Sequence, residues 1–272
     1  MMASASLPET TMSDRNSAAH KLVCICDTHL VPGGQMLHGL DPEARLRACI
    51  ADIVQNHADA FACVILGDLA HKAEPAAYDL FREIVAPLPM PVHLMIGNHD
   101  RRSLLRERIP VAPSDENGFV QSAFDTPVGR FILMDTVEEG SNGGSYCEER
   151  QTWLVGQLEH AGDRDIYLFM HHPPFDCGIP CLDRIGQNDQ ADIARIVGGD
   201  ARIKHLFLGH VHRPMAGSWK GIPFSSARAT NHQVPFDLRE LDHVPKSDEG
   251  PQYRVIFMQP DQVVVHFHDY LS

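Results

Sequence analysis

Hydrophobic positions in the first third of the chain alternate between two periods. Short apolar runs predict buried strands at 21–26, 61–66 and 92–96. Between these runs the apolar positions recur at helical spacing, which predicts helices at 42–57 and 75–85. Asp41 provides an N-cap for the first helix, and Pro42 occupies its first turn. Strands alternating with helices favour a parallel sheet with right-handed crossovers.

The alternation continues through the middle of the chain and then changes. Further strands are predicted at 130–135, 166–170 and 203–208, and further helices at 148–160 and 189–197. The last part of the chain predicts only short antiparallel strands, at 215–219, 223–226, 253–258 and 263–268. Residues 1–20 are rich in Ala, Ser and Thr and contain no apolar run, which predicts a disordered N-terminal tail before a single domain over 21–272.

Polar, metal-binding residue types follow five of the predicted strands directly. The five loops carry Asp27-Thr28-His29, Gly67-Asp68, Gly97-Asn98-His99-Asp100, His171-His172-Pro173 and Gly209-His210-Val211-His212. In an open α/β sheet, ligands bind at the carboxyl ends of the strands, so we expect these loops to converge on one crevice. Imidazoles combined with carboxylates suit Zn, Mn or Fe, and one carboxylate can bridge two cations. The glycine before Asp68, Asn98 and His210 is expected to permit the tight turn that such a site needs.

Composition narrows the class of protein. The 272 residues carry a formal net charge of −13, which disfavours a nucleic acid polymer as partner and favours a small substrate. No apolar run is long enough for a membrane span, and we expect no membrane partner. Seven cysteines, four of them inside apolar segments, suit a reducing cytoplasm. These observations leave a homodimer open.

The order and spacing of the five motifs resemble those of the calcineurin-like metallophosphoesterases over about residues 21–235. The resemblance implies an α/β fold of two mixed β-sheets packed face to face with helices on the outside. It implies two divalent metal ions, Mn, Fe or Zn. The first would be held by Asp27, His29, Asp68 and His212, and the second by Asp68, Asn98, His171 and His210, with Asp68 bridging. His99 would contact the substrate phosphate or the leaving oxygen as the candidate general acid, beside Asn98 as a further substrate contact.

Two further segments narrow the resemblance. Gly178-Ile179-Pro180 with Asp183, and later Thr230-x-His232-Gln233, resemble the bacterial class III cyclic-nucleotide phosphodiesterases and related glycerophosphodiesterases. They imply a phosphodiesterase acting on a small diester such as a cyclic nucleotide, with His232 on the substrate side or in a structural hydrogen bond. The alternatives are a glycerophosphodiester, phospholipid or nucleotide-sugar hydrolase, and a metal-bound scaffold without activity. The residue before Asp27 is Cys26, where the family commonly has Ser or Gly.

Formal charge also favours a diester substrate. Two divalent cations, the carboxylates of Asp27 and Asp68 and one hydroxide leave a single positive charge, which suits a phosphodiester monoanion better than a phosphomonoester dianion. That balance would change if an arginine pointed inward, and the nearby candidates are Arg101, Arg102 and Arg213.

Several residues of metal-binding type receive a structural interpretation. His172 is expected beside the ligand His171 as a supporting or packing residue, and His205, Cys24 and Cys26 are expected to be buried in strands. Cys177 and Cys181 have metal-like spacing but no other ligand nearby, so a third metal is disfavoured. Surface or structural roles are expected for the four histidines His57, His71, His93 and His160.

Overall fold

The computed structural model describes residues 20–271, so the tail predicted at 1–20 lies, apart from His20, outside the described residues. The strands are β1 (Lys21–Ile25), β2 (Ala62–Ile65), β3 (Val92–Leu94), β4 (Ser122–Thr126), β5 (Gly129–Met134), β6 (Ile166–Met170), β7 (Ile203–Leu208), β8 (Met215–Trp219), β9 (Ile222–Ser226), β10 (Gln252–Gln259) and β11 (Gln262–Asp269). The helices are α1 (Pro42–Asn56), α2 (Pro75–Val85), α3 (Arg102–Arg108), α4 (Glu148–His160), α5 (Pro180–Asp183) and α6 (Gln190–Val197).

These strands form two mixed sheets. The first has the order β11-β10-β1-β2-β3, in which β1, β2 and β3 are parallel and β10 and β11 are antiparallel to their neighbours. The second has the order β4-β5-β6-β7-β9-β8, parallel from β5 to β9 and closed at each edge by an antiparallel strand. The predicted fold class is therefore confirmed.

The main core lies between the two sheets. Leu22 and Val64 of the first sheet pack in one cluster with Phe131, Phe169 and Phe207 of the second. The Phe169 and Phe207 rings stack with their centroids 4.9 Å apart. Full burial of each such ring contributes about 1.5–3 kcal/mol to stability, so this layer holds the sheets face to face.

The outer face of the first sheet is covered by helices. Alternate residues such as Val23 and Ile65 point away from the inter-sheet core and pack with Leu46 and Ile53 of α1 and with the apolar side of α2. Helix α1 begins as predicted, because the Asp41 carboxylate accepts the N–H of Ala44 at 3.0 Å.

Two elements between residues 100 and 127 were not predicted from the pattern. Helix α3 has seven residues and buries only Leu105 within the helix, so it shows no apolar period. Strand β4 is an edge strand with a largely half-buried face, and it becomes a strand by pairing with β5. Tertiary contacts determine both elements where local sequence does not.

Candidate dinuclear metal centre

All five motif loops meet at the carboxyl ends of β1, β2, β3, β6 and β7. The backbone is left-handed at Asp27, His29, Asp68, His210 and His212, with φ between 45° and 67°. Such conformations are uncommon for residues other than Gly, although Asn, Asp and His tolerate them best. The backbone strain therefore falls on the residues that carry the candidate ligands.

The glycines of the motifs act in two different ways. Gly67 has a φ of +91°, as the tight-turn prediction requires. Gly97 and Gly209 do not need a left-handed backbone; they are small because other groups approach them closely. A Cβ at Gly97 would lie 2.2 Å from Asp68 Oδ1, and one at Gly209 would lie 3.1 Å from His171 Nδ1. The predicted tight turns are nevertheless present, since Asp100 N donates to Gly97 O at 3.1 Å and Val211 N donates to Gly209 O at 2.8 Å, and the constraint at Gly97 and Gly209 is space.

Asp27, His29, Asp68 and His212 form the first group of converging side chains. One ligand atom from each lies within 4.8 Å of the others, and all four residues are buried. His29 Nε2 lies 3.0 Å from His212 Nε2 and 3.4 Å from Asp68 Oδ2. The structure thus brings together the residues predicted for the first metal.

The second group converges on the amide oxygen of Asn98. Asn98 Oδ1 lies 3.1 Å from His171 Nε2 and 3.0 Å from His210 Nδ1. His171 Nε2 is also 3.5 Å from Asp68 Oδ2. Asp68 Oδ2 therefore lies within 3.5 Å of the Nε2 atoms of His29 in the first group and His171 in the second. Asp27 Oδ1 also approaches both groups, at 3.6 Å from His212 Nε2 and 3.8 Å from His171 Nδ1, but that Nδ1 is bonded to Leu66 O.

The donor atoms of the two groups are better placed to bind metal ions than to form hydrogen bonds with one another. Asp27 Oδ2 is buried with no hydrogen-bond partner in the described structure. The two Nε2 atoms of His29 and His212 face each other, although each ring has an alternative use for its proton elsewhere. A set of imidazole nitrogens, carboxylates and an amide oxygen suits Zn, Mn or Fe. Burial, the largest cause, lowers the pKa of His29 well below its usual range and that of His210 to about 3, which keeps both rings neutral as ligation requires.

Backbone carbonyls fix the orientation of two of these rings. His171 Nδ1 donates to Leu66 O at 2.8 Å, and His212 Nδ1 donates to His232 O at 2.8 Å. A carbonyl oxygen can only accept, so the proton sits on Nδ1 and the Nε2 lone pair points inward. The tautomer needed for ligation is therefore set by the fold.

His99 lies beside the two groups without joining them. Its backbone N–H donates to Asp68 Oδ1 at 2.8 Å, and its ring Nδ1 donates to His71 O at 2.7 Å. The remaining nitrogen, Nε2, is left for the cavity that the ring lines. This placement agrees with a residue that contacts substrate, and its role as general acid stays a prediction.

His71, for which a surface or structural role was expected, lies at the site and lines its cavity. Its ring stacks on His99 at a centroid distance of 4.9 Å, and its Nδ1 lies 3.3 Å from His29 Nδ1. Its backbone N–H donates to Leu30 O at 2.8 Å. This bond holds the loop after β2 next to the loop after β1, at the site. Burial lowers the pKa of His71 to about 4. The signal available in the sequence was its position three residues after Asp68.

The other assigned residues lie largely as expected. His232 lines the cavity, with its ring centroid 4.8 Å from that of His212. Both ring nitrogens of His172 are occupied, by Thr136 Oγ1 at 2.8 Å and by Asn142 O at 3.3 Å, which agrees with a supporting role. His205, Cys24 and Cys26 are buried, and Cys26 Sγ accepts a hydrogen bond from the buried Arg254 at 3.0 Å. Among the described residues, Cys177 and Cys181 belong to no cluster of metal-binding groups.

The arginines considered as a phosphate clamp point elsewhere. Arg102 makes a two-pronged pair with the buried Asp135, at 2.7 Å for each contact. Arg213 lies over the Phe236 ring at 5.1 Å and donates to Val234 O. Neither these two residues nor Arg101 lines the metal cavity. Lys246 does line the cavity, and so does His38. Neither residue was singled out from the sequence.

The family assignment agrees with this geometry. The model of the calcineurin-like phosphoesterase family matches residues 20–214. The chain belongs to this family. It is 39% identical over 249 residues to a probable cyclic nucleotide phosphodiesterase of Rhodopseudomonas palustris, covering 90% of this chain and 91% of the relative. It is 30% identical to a probable glycerophosphodiester phosphodiesterase of Arcobacter nitrofigilis, with coverages of 90% and 88%. A cAMP/cGMP dual specificity phosphodiesterase of Mycobacterium tuberculosis is also 30% identical, with coverages of 89% and 77%.

Solved structures support the same fold. A dimetal phosphatase from Danio rerio superposes with a TM-score of 0.71 at 14% identity, covering 93% of this chain and 97% of that one. A purple acid phosphatase from yellow lupin superposes with a TM-score of 0.69 at 13% identity, with coverages of 92% and 51%. At these identities, both similarities show a shared fold alone. No helix within residues 20–271 is long and apolar enough to cross a membrane.

Proposed function

We propose that this phosphoesterase is a phosphodiesterase that hydrolyses a small diester, with a cyclic nucleotide as the leading substrate class. The observation that carries the proposal is the convergence of six donor side chains around Asp68, beside a cavity of about 260 Å³ that five of the seven residues line. A volume below the usual range of drug-sized pockets suits a small molecule better than a polymer or a lipid. The names of relatives at 39% and 30% identity support the same class of reaction.

The proposed metal sites follow from the two side-chain groups. Asp27, His29 and His212 would hold one ion, Asp68 would be shared, and the second ion would be held by Asn98, His171 and His210. When bound, two divalent cations supply Lewis-acid polarisation of phosphoryl oxygens and acidify a water molecule. The donor set supports Mn, Fe or Zn as the metal pair.

The chain's own residues then position and protonate the substrate. His99 would offer Nε2 to the leaving oxygen, because its Nδ1 is committed to the carbonyl of His71. As a donor at Nε2 the ring must carry both protons, so we propose that it acts as imidazolium. His232 would form part of the wall on the substrate side.

A glycerophosphodiester is the second candidate substrate, since a relative at 30% identity is named a probable glycerophosphodiester phosphodiesterase. The test is a hydrolysis panel with Mn-reconstituted protein: 3′,5′-cAMP, 2′,3′-cAMP, glycerophosphocholine, bis-p-nitrophenyl phosphate and p-nitrophenyl phosphate. We expect higher kcat/KM for the diester than for the monoester of p-nitrophenol at one pH and one metal loading. A monoester advantage of about tenfold or more, equivalent to ~1.4 kcal/mol of transition-state stabilisation, would reject the diesterase proposal.

A further inference from the structure

The chain beyond residue 235 returns to the metal cavity through a short pairing of two loops. Gln233 N donates to Ser247 O at 3.1 Å, and Ser247 N donates to Gln233 O at 2.9 Å. The Gln233 side chain is itself tied to both backbone groups of Ala229, at 2.8 and 2.9 Å. These bonds fix the backbone next to Ser247 relative to the loop that carries His232.

A second anchor lies two residues further on. Glu249 accepts from Arg228 at 2.9 Å, and Arg228 also donates to Asp269 at 3.1 Å. The Ser247 hydroxyl donates to Glu249 at 3.1 Å. Both anchors follow Lys246 directly in the chain, and the bonds at Ser247 fix the backbone next to Lys246 beside the cavity.

Lys246 is an uncompensated cation at that position. It lines the cavity and is exposed at its mouth. Within residues 20–271 no carboxylate pairs with its ammonium group, and its hydrogen bond is to Val244 O at 3.4 Å. The other end of the cavity is positively charged when the metal site is filled. Because Lys246 is exposed, water solvates its ammonium group, which leaves the group available to a substrate atom that enters the cavity.

His38 stands beside Lys246 in a strained turn. Leu37 and Leu40 exchange two backbone hydrogen bonds, at 2.8 and 3.0 Å, around His38 and Gly39. Both central residues are left-handed, with φ of 54° and 79°, a turn that prefers Asn-Gly. The His38 ring lies 4.7 Å from that of His232, on the cavity wall. Strain retained at an exposed turn residue is a pointer to function.

Aliphatic side chains form part of the remaining wall, beside Asn142 and the histidines of the site. Leu182, Ile185, Val234 and Val244 line it, and its one carboxylate among the described lining residues is the candidate ligand Asp68. The lining contains no Phe, Tyr or Trp ring. A quaternary ammonium group is usually recognised by Trp, Tyr or Phe rings, so the described lining lacks the cage that a choline headgroup prefers.

We propose that Lys246, assisted by His38, is a specificity-determining residue that recognises the part of the diester beyond the phosphorus. It selects an uncharged group rich in hydrogen-bond acceptors, such as a purine nucleoside, and rejects cationic headgroups by charge. This inference rests on the proposed phosphodiesterase function and chooses between its two substrate classes. The flat face of a purine would pack on the aliphatic residues while its nitrogen or oxygen atoms accept from Lys246 and His38.

The test compares Lys246→Met, Lys246→Glu and Lys246→Arg with the unchanged protein. The readout is the ratio of kcat/KM for 3′,5′-cAMP to that for glycerophosphocholine in one preparation, which cancels metal loading and active fraction. Removing the charge should lower the ratio about tenfold, the usual size of one lost hydrogen bond to a charged group. Lys246→Glu should lower it further, and Lys246→Arg should keep most of it.

Two control variants separate this role from general effects. Lys204→Met removes one positive charge at the opposite end of β7, where Lys204 pairs with Asp165, and should leave the ratio as it is. His38→Asn keeps a residue suited to the left-handed turn while removing the imidazole, and should lower the ratio by a smaller factor than Lys246→Met.

A binding measurement makes the outcome independent of turnover. Calorimetric titration with 5′-AMP and with phosphocholine should show weaker 5′-AMP binding and stronger phosphocholine binding in Lys246→Met. Unchanged ratios in both Lys246→Met and Lys246→Glu, or a native preference for glycerophosphocholine, would overturn the inference. If the metal-loaded protein cleaves neither these diesters nor bis-p-nitrophenyl phosphate, the phosphodiesterase proposal itself fails, and the titration still decides what Lys246 binds.

Discussion

Replacing Gly97 with alanine places a methyl group where the Asp68 carboxylate lies. The new Cβ would stand 2.2 Å from Asp68 Oδ1 and 2.4 Å from Asp68 N. Neither side can yield easily, because Asp68 Oδ1 accepts from His99 N at 2.8 Å and Gly97 N donates to Asp100 at 3.0 Å. An ordinary contact begins at 3.4 Å, so the groups must separate by about 1.2 Å. A misplacement of ~1 Å near the chemistry costs about 10²-fold in rate.

We therefore expect Gly97→Ala to lose activity and metal together. After Mn reconstitution, elemental analysis should find clearly less than two equivalents of metal, and kcat/KM for bis-p-nitrophenyl phosphate should fall by about 10²-fold or more. Urea unfolding should show a loss of about 1–3 kcal/mol, as for other overpacked sites. If the variant keeps two equivalents and activity within about threefold of the native protein, Asp68 is not the shared centre of the site.

The matched control is Gly156→Ala in α4. No heavy atom lies within 4 Å of a Cβ built at Gly156, and the helix leaves its backbone conformation open to alanine. This substitution should stabilise the protein by about 0.5–1 kcal/mol and change neither metal content nor rate. The contrast isolates the space around Asp68 from any general effect of adding a methyl group.

Three further outcomes follow from the same contacts. Asp68→Ala should abolish binding of both metals, since without the shared carboxylate two cations repel each other unscreened, and elemental analysis that still finds near two equivalents would contradict this. His99→Ala should keep its metal while turnover falls by about 10²–10⁴, and the loss should shrink for p-nitrophenolate, a leaving group that needs no proton; equal losses for good and poor leaving groups would indicate a positioning role. Asp100→Asn should reduce the free energy of unfolding by about 3 kcal/mol in a urea titration, because this buried carboxylate accepts from three backbone N–H groups and from Tyr78; a loss below ~1 kcal/mol would show that the bonds are replaceable.

The location of the site could be predicted from sequence because its signals are local. Each apolar run that ends in Asp-x-His, Gly-Asp or Gly-His marks a strand and the loop that follows it within a few residues. Parallel pairing of β1 to β3 and of β5 to β7 then places those loops at one edge without any further information. The pattern brings the five loops together, and the choice of seven candidate ligands among their residues was implied by the resemblance to the calcineurin-like family.

On the substrate side, His99 and His232 were expected from the motifs, but His71 and Lys246 were not, because these two residues arrive by pairings between loops. His71 enters the site because its backbone donates to Leu30, in a loop that precedes it by about forty residues. Lys246 arrives through the bridge between Gln233 and Ser247, where neither segment has a hydrophobic period. The arginines had the opposite problem: they are near the motifs in sequence, and Arg102 is instead held by Asp135.

The geometry of the ligands likewise belongs to the contacts among the loops. A left-handed residue costs on the order of 1–3 kcal/mol and persists only where surrounding contacts impose it. Such contacts are present: Asp27 Oδ1 accepts from His210 N at 3.0 Å, Thr28 donates to Leu69 O at 2.7 Å, and Asp100 accepts from the N–H of Leu69 and its neighbour. Each bond joins loops far apart in sequence. Strand periodicity therefore places the ligands at one edge of the sheets, while the bonds between loops set the distances that allow those ligands to share metal ions.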